Sequence, residues 1–226
     1  ISRAQNLMIV CQDDKAASAG LEILEAGGNA ADAGVAIAYA LAVTQPKAGN
    51  LGGGGFALYY DAETKKTIAI DFRERAPAAT TKEDFLKADG SVDHDALRFS
   101  PKACAVPGTL AGIDFINKNF GQLKHKSLIE PAIILAEDGF AISAGLAYDL
   151  KVKRDFLENK KEAKRIFFPE GELMKEGDIL VQEDLANTLR RLKKYGPSYF
   201  YNSHMGKEFV NWHKENGGLI ALSDLK

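Results

Sequence analysis

Cysteine is scarce in this chain of 226 residues, present only as Cys11 and Cys104. Two thiols cannot build a disulfide framework, and theirs is not a metal-ligand spacing. Free cysteine is among the most buried residue types, so both are expected as buried thiols, with a single bridge left open. A charge excess is missing too. Lys and Arg number 29 against 31 Asp and Glu, a net charge of −2, which gives no support to a nucleic-acid or anionic-membrane surface. No apolar run is long enough to cross a bilayer. The longest, Ala30 to Val43, contains Asp32 and falls short of the ~20 residues a crossing needs. The N-terminus lacks a basic region followed by an apolar one, as an export signal would show.

Chemical motifs are equally sparse. His94, His125, His204 and His213 sit among polar and charged neighbours without the i, i+4 partner expected of a metal pair, so each reads as a surface histidine. No metal site and no cofactor follow from them. No serine or threonine stands in a nucleophile elbow, and the chain shows no nucleophile beside a base.

What is present is an ordinary globular composition, 46% hydrophobic and 27% charged, long enough for one large domain or two small ones. Leu7 to Val10 reads as a short buried strand. Ala17, Leu21 and Leu24 recur at helical spacing before the stop at Gly27-Gly28. Asn29, with Asp32 three residues on, predicts the cap of a core helix running to Val43 and closed by Pro46. Two strands, Phe56 to Tyr60 and Thr67 to Phe72, are predicted around a turn at Asp61–Thr64. From Ala79 onward the chain reads as mostly helical. Ser127 and Glu130 resemble a capping box, Leu185, Leu189 and Leu192 mark a later helix, and another carries Phe209, Val210 and Trp212. Ser223-Asp224 reads as the cap of a helix starting near Leu225, so the chain is expected to be a piece of a longer one.

Two motifs invite a functional reading. Gly52-Gly53-Gly54-Gly55-Phe56-Ala57 fits the letters of a dinucleotide loop, but a helix precedes it and a strand follows, the reverse of what that loop needs. The glycines imply a tight turn into a sheet, positive φ, or close approach of another segment. Arg73, in Asp71-Phe72-Arg73-Glu74-Arg75-Ala76-Pro77, alternates away from the Ile68/Ile70 face. It reads either as part of a surface ion-pair network or as a bidentate clamp for a substrate carboxylate.

Blocks spread in order along the chain carry a resemblance. They include Gly27-Gly28-Asn29-Ala30-x-Asp32-Ala33, Gly49-Asn50-Leu51-Gly52-Gly53-Gly54-Gly55-Phe56, Asp71-Phe72-Arg73-Glu74-x-Ala76-Pro77 and Val106-Pro107-Gly108-Thr109-x-Ala111-Gly112. On these the chain resembles the γ-glutamyltranspeptidases, bacterial periplasmic members above all, over the N-terminal part of the large subunit. The resemblance implies an α/β fold, the αββα sandwich of N-terminal-nucleophile hydrolases, of which residues 1–78 form a core segment and 79–226 a mostly helical lobe. It implies a precursor that cuts itself, and a threonine nucleophile leading a small subunit that would be this chain's partner. The activity implied is cleavage of γ-glutamyl amides such as glutathione, with transfer to water or an amino-acid acceptor, in the periplasm or outside the cell. No catalytic residue carries over onto this chain, which is expected to be inactive alone. Arg73 carries over as the ligand of the glutamyl α-carboxylate. A poly-γ-glutamate depolymerase or cephalosporin acylase of the same fold, or a non-catalytic paralogue, is the alternative.

Overall fold

A computed structural model describes residues 7–226. It divides into two units: one takes the chain up to Asn50 with Ile116–Lys194, the other Leu51–Phe115 with Tyr195–Lys226.

In the first unit, α1 (Asp14–Glu25) begins where Asp13 Oδ1 accepts the N–H groups of Lys15 and Ala16, at 3.1 and 3.0 Å. Two otherwise unpaired helical N–H groups are satisfied there. Helix α2 (Ala30–Thr44) starts with the predicted capping box. Asn29 Oδ1 accepts from the Ala31 and Asp32 N–H groups, and Asp32 Oδ2 accepts the Asn29 N–H at 3.1 Å. Buried residues lie on every side of α2, with Tyr39, Ala36, Ala40 and Val43 fully enclosed, as its apolar composition requires.

Helix α1 packs on α2 through Ala16, Ala19, Gly20 and Ile23 rather than Ala17, Leu21 and Leu24, and Leu21 is left 38% exposed. The helices approach so closely that a Cβ on Gly20 would lie 2.6 Å from Ile37 Cδ1. Contact therefore selects the small residues, one position round the helix from the larger ones. Leu7 to Val10 is not a strand, and Met8 and Val10 are 70% and 90% exposed. A strand needs a ladder partner, and no described strand pairs with this segment.

Ser127 caps nothing. It lies inside the single-turn helix His125–Leu128, its N–H already bonded to Lys124 O. Ile129 precedes α3 (Glu130–Glu137) without a side-chain bond. Helix α3 buries Pro131, Ala132, Ile133 and Ala136 and packs on α2. Helix α4 (Glu183–Tyr195) buries Ala186, Leu189 and Leu192 and ends at Gly196, whose φ of +87° favours glycine.

In the second unit, β1 (Phe56–Asp61) and β2 (Lys66–Asp71) form an antiparallel hairpin registered Phe56↔Asp71 to Asp61↔Lys66. Asp61 Oδ1 holds the turn by accepting the Glu63 and Thr64 N–H groups. Helix α5 (His204–Glu215) follows the short helix Tyr199–Asn202. Residues after Leu219 make a turn in which Asp224 Oδ2 accepts the Ala221 N–H at 2.8 Å and Oδ1 the Ala78 N–H at 3.1 Å. That carboxylate ties the turn back to Ala78.

Two more expectations need correction. Both cysteines are free, but Cys11 is half-buried and Cys104 exposed, in an extended segment bridged to Arg75 only through Val106. His94 and His204 are exposed. His125, however, pairs its Nε2 with the Tyr39 hydroxyl at 2.9 Å, and His213 is 2% exposed against Phe209 and Trp212. Both belong to apolar helix faces whose polar sequence neighbours point the other way.

Candidate functional site

The glycine run works by close approach. None of Gly52 to Gly55 is among the positive-φ glycines. A Cβ on Gly54 would lie 2.4 Å from Glu74 N, and one on Gly55 would lie 2.9 Å from the Phe72 ring. Phe72 N–H donates to Gly55 O at 3.0 Å, and Gly55 N–H donates to Phe72 O at 3.4 Å, extending the hairpin ladder past Phe56. Gly53 O then accepts the N–H groups of Gly108 and Thr109 at 2.7 and 2.9 Å, where the helix Thr109–Phe120 begins. On that side too only glycine fits. A Cβ on Gly108 would lie 2.1 Å from Phe72 O, and one on Gly112 2.2 Å from Phe72 Cγ. Phe72 is thereby gripped between two glycine surfaces, and the next residue is Arg73.

Arg73 donates its N–H to Asp71 Oδ1 at 2.9 Å, fixing the turn out of β2. Its guanidinium carbon stands 5.7 Å from the Phe56 ring centroid, within cation–π range. The nearest approach to Glu74 is Nε to Oε1 at 3.6 Å, too long for a hydrogen bond. With its side chain 62% exposed, the guanidinium is neither desolvated nor consumed by its neighbour. An ion pair so exposed contributes little stability.

Arg73 lines a cleft of about 570 Å³ in the second unit, together with Arg75, Pro107, Gly108, Tyr201 and Asp224. That volume suits a small-molecule ligand. Arg75 is held through its main chain: Val106 N–H donates to Arg75 O at 2.8 Å, and Arg75 N–H donates to Val106 O at 3.4 Å. Tyr201 donates its hydroxyl to Pro107 O at 2.9 Å and accepts the Ala111 N–H at 3.2 Å, and burial pushes its phenol pKa up. The carboxyl drawn furthest down, Asp84 at about 2, lies outside the cleft, held by Lys102 and Thr81. Among the described residues no group of three or more His, Cys, Asp or Glu could hold a metal ion.

Arg73 lines this cleft beside residues for which the sequence suggested no site role. Arg75 carried a signal, being two positions from Arg73 on an extended segment. Tyr201 carried none and Asp224 only that of a helix cap, because both reach the cleft wall only once the chain has folded back.

The chain matches the gamma-glutamyltranspeptidase family over residues 16–226. It is 43% identical, over 99% of its length, to a "Glutathione hydrolase proenzyme" of Escherichia coli K12, and spans 38% of that protein. It matches the crystal structure of Helicobacter pylori gamma-glutamyltranspeptidase with a TM-score of 0.94 and 41% identity, over 100% of this chain and 64% of that one. A cephalosporin acylase from Bacillus halodurans matches at TM-score 0.80 and 25% identity, over 100% of this chain and 45% of that one. The α/β fold is therefore that of the N-terminal-nucleophile hydrolases, and the chain belongs to the gamma-glutamyltranspeptidase family.

Proposed function

We propose that this chain is one part of an enzyme that cleaves γ-glutamyl amides of the glutathione type, with Arg73 holding the α-carboxylate of the glutamyl group. The observation that carries this reading is the open guanidinium of Arg73 in the cleft, on a segment whose neighbour Phe72 is locked by glycines. A planar guanidinium matches a carboxylate with two parallel hydrogen bonds, which lysine cannot reproduce. The nucleophile and the groups that stabilise the oxyanion would come from a second subunit of the same precursor, so residues 1–226 alone would turn over no substrate. By family resemblance alone, the enzyme would act in the periplasm or outside the cell.

The identities of 43% and 41% to glutathione hydrolase and γ-glutamyltranspeptidase, against 25% to the acylase, favour the γ-glutamyl substrate over a cephalosporin side chain. The test is Arg73→Ala and Arg73→Lys in the full-length protein, assayed for kcat/KM on a γ-glutamyl anilide. Arg73→Ala is expected to cost about 2–5 kcal/mol in transition-state stabilisation, with Lys recovering only part. An unchanged kcat/KM takes Arg73 out of the site. A full-length protein that spares γ-glutamyl amides but deacylates cephalosporins moves the function to the acylase.

A further inference from the structure

The cleft holds a second guanidinium that the carboxylate role of Arg73 leaves unexplained. Arg75 is exposed, and among the described residues no carboxylate forms an ion pair with it. The acid that shares the cleft, Asp224, already accepts the Ala78 and Ala221 N–H groups, one on each oxygen. Two guanidinium groups therefore line one cavity, Arg73 with only its exposed ion pair to Glu74 and Arg75 with none among the described residues. A single-carboxylate ligand would leave one of them unmatched.

Geometry gives the second group a defined place. Residues two apart on an extended segment share a face, with Cα atoms roughly 6.6 Å apart at ~3.3 Å per residue. Arg75 cannot drift along the wall, because its N–H and C=O are both bonded to Val106. Its side chain takes no part in that bridge, so position 75 can change without breaking it. Both side chains line the same cleft, so one ligand lying in it can present a carboxylate to each.

We infer that Arg75 binds a second carboxylate, on the far side of the scissile amide, and so makes the site selective for dianionic γ-glutamyl peptides over γ-glutamyl amides with a neutral leaving group. This rests on Arg73 holding the glutamyl carboxylate, and it adds the substrate class.

The experiment compares glutathione, its C-terminal carboxamide and a γ-glutamyl anilide as substrates of the full-length protein, with Arg75→Gln and Arg75→Lys beside the wild type. Wild type is expected to show a KM for glutathione about tenfold below that for the carboxamide, the factor a charge-assisted hydrogen bond supplies. Arg75→Gln should raise the glutathione KM to the carboxamide value, leave kcat unchanged, and leave both neutral substrates as they were. Arg75→Lys should recover part of the loss, and thermal unfolding of both variants should match wild type. Equal KM values for glutathione and its carboxamide in the wild type would overturn the inference, as would an Arg75→Gln effect of the same size on all three substrates. Failure of the Arg73 reading looks different, because Arg73→Ala would then spare all three substrates alike.

Discussion

The ring of Phe72 lies so close to the backbone of Gly112 that a methyl group there would come within 2.2 Å of Cγ. The ring has no easy retreat, since Gly55 meets it at 2.9 Å from another side. Gly112→Ala is thus expected to destabilise the protein by about 1–3 kcal/mol through overpacking, outweighing the ~1 kcal/mol alanine gains in a helix. Gly34→Ala is its control. Gly34 is exposed in α2 with nothing within 4 Å of the added methyl, so that variant should gain roughly 0.5–1 kcal/mol. Urea midpoints of both variants check the opposite signs, and in the full-length protein Gly112→Ala should also lower kcat/KM by displacing Arg73 from its proposed place.

Asp32 is fully buried, and N–H donors gather on its carboxylate. Oδ2 accepts from the backbones of Asn29, Gln122 and Leu123 at 3.1, 2.9 and 3.2 Å, and Oδ1 from the Asn117 side chain at 3.2 Å. An asparagine can keep its oxygen toward the three backbone donors, but its nitrogen would then face the Asn117 amide. Asp32→Asn is expected to cost about 1–3 kcal/mol. Asp32→Ala leaves every donor unsatisfied and should exceed ~3 kcal/mol. Chemical denaturation of the two variants gives the order, and an equal cost would mean that the helix cap alone matters.

The same residue shows how far the sequence could be read. Asn29 and Asp32 are three apart, so the local half of the network was visible as a capping box. Its bonds to Gln122 and Leu123 come from a turn far along the chain, and no local spacing announces them. The candidate site divides in the same way. Arg73 and the glycine run stand in consecutive motifs, so the hairpin and its terminal arginine could be read directly. The grip of Gly108 and Gly112 on Phe72, and Tyr201 in the cleft wall, depend on tertiary packing. Leu7 to Val10 failed for a related reason: an apolar run specifies a strand only when a partner strand is there to accept its ladder.

Tyr201 secures the start of the helix Thr109–Phe120 from outside it. Ala111 N–H belongs to the first turn, where no intrahelical acceptor exists, and the tyrosine oxygen supplies one while donating to Pro107 O. Tyr201→Phe removes both bonds and keeps the ring, for an expected loss of about 1–2 kcal/mol in a urea titration. Because Pro107 and Gly108 back the segment carrying Arg73, the proposed role of that arginine predicts, in the full-length protein, a higher KM for a γ-glutamyl anilide with little change in kcat. A variant as stable as wild type would mean that water replaces the hydroxyl.

His213 gives the fold a pH dependence of predictable sign. Its ring is 2% exposed, edge-on to Phe209 at 4.6 Å and Trp212 at 5.4 Å between centroids, and Nδ1 has no hydrogen-bond partner. Burial lowers its pKa below the ordinary value of 6.5, because the imidazolium would have to give up its water. The unfolded chain therefore binds this proton at a higher pH than the folded one. Stability from this residue is complete above about 6.5 and is lost as the pH falls through the lower folded-state value. His213→Phe keeps an aromatic ring in an aromatic pocket and has no proton to take up. Urea midpoints at pH 7.5 and 5.5 should fall less for the variant than for the wild type. An identical fall in both proteins would shift the effect to other titrating groups and leave His213 as packing alone.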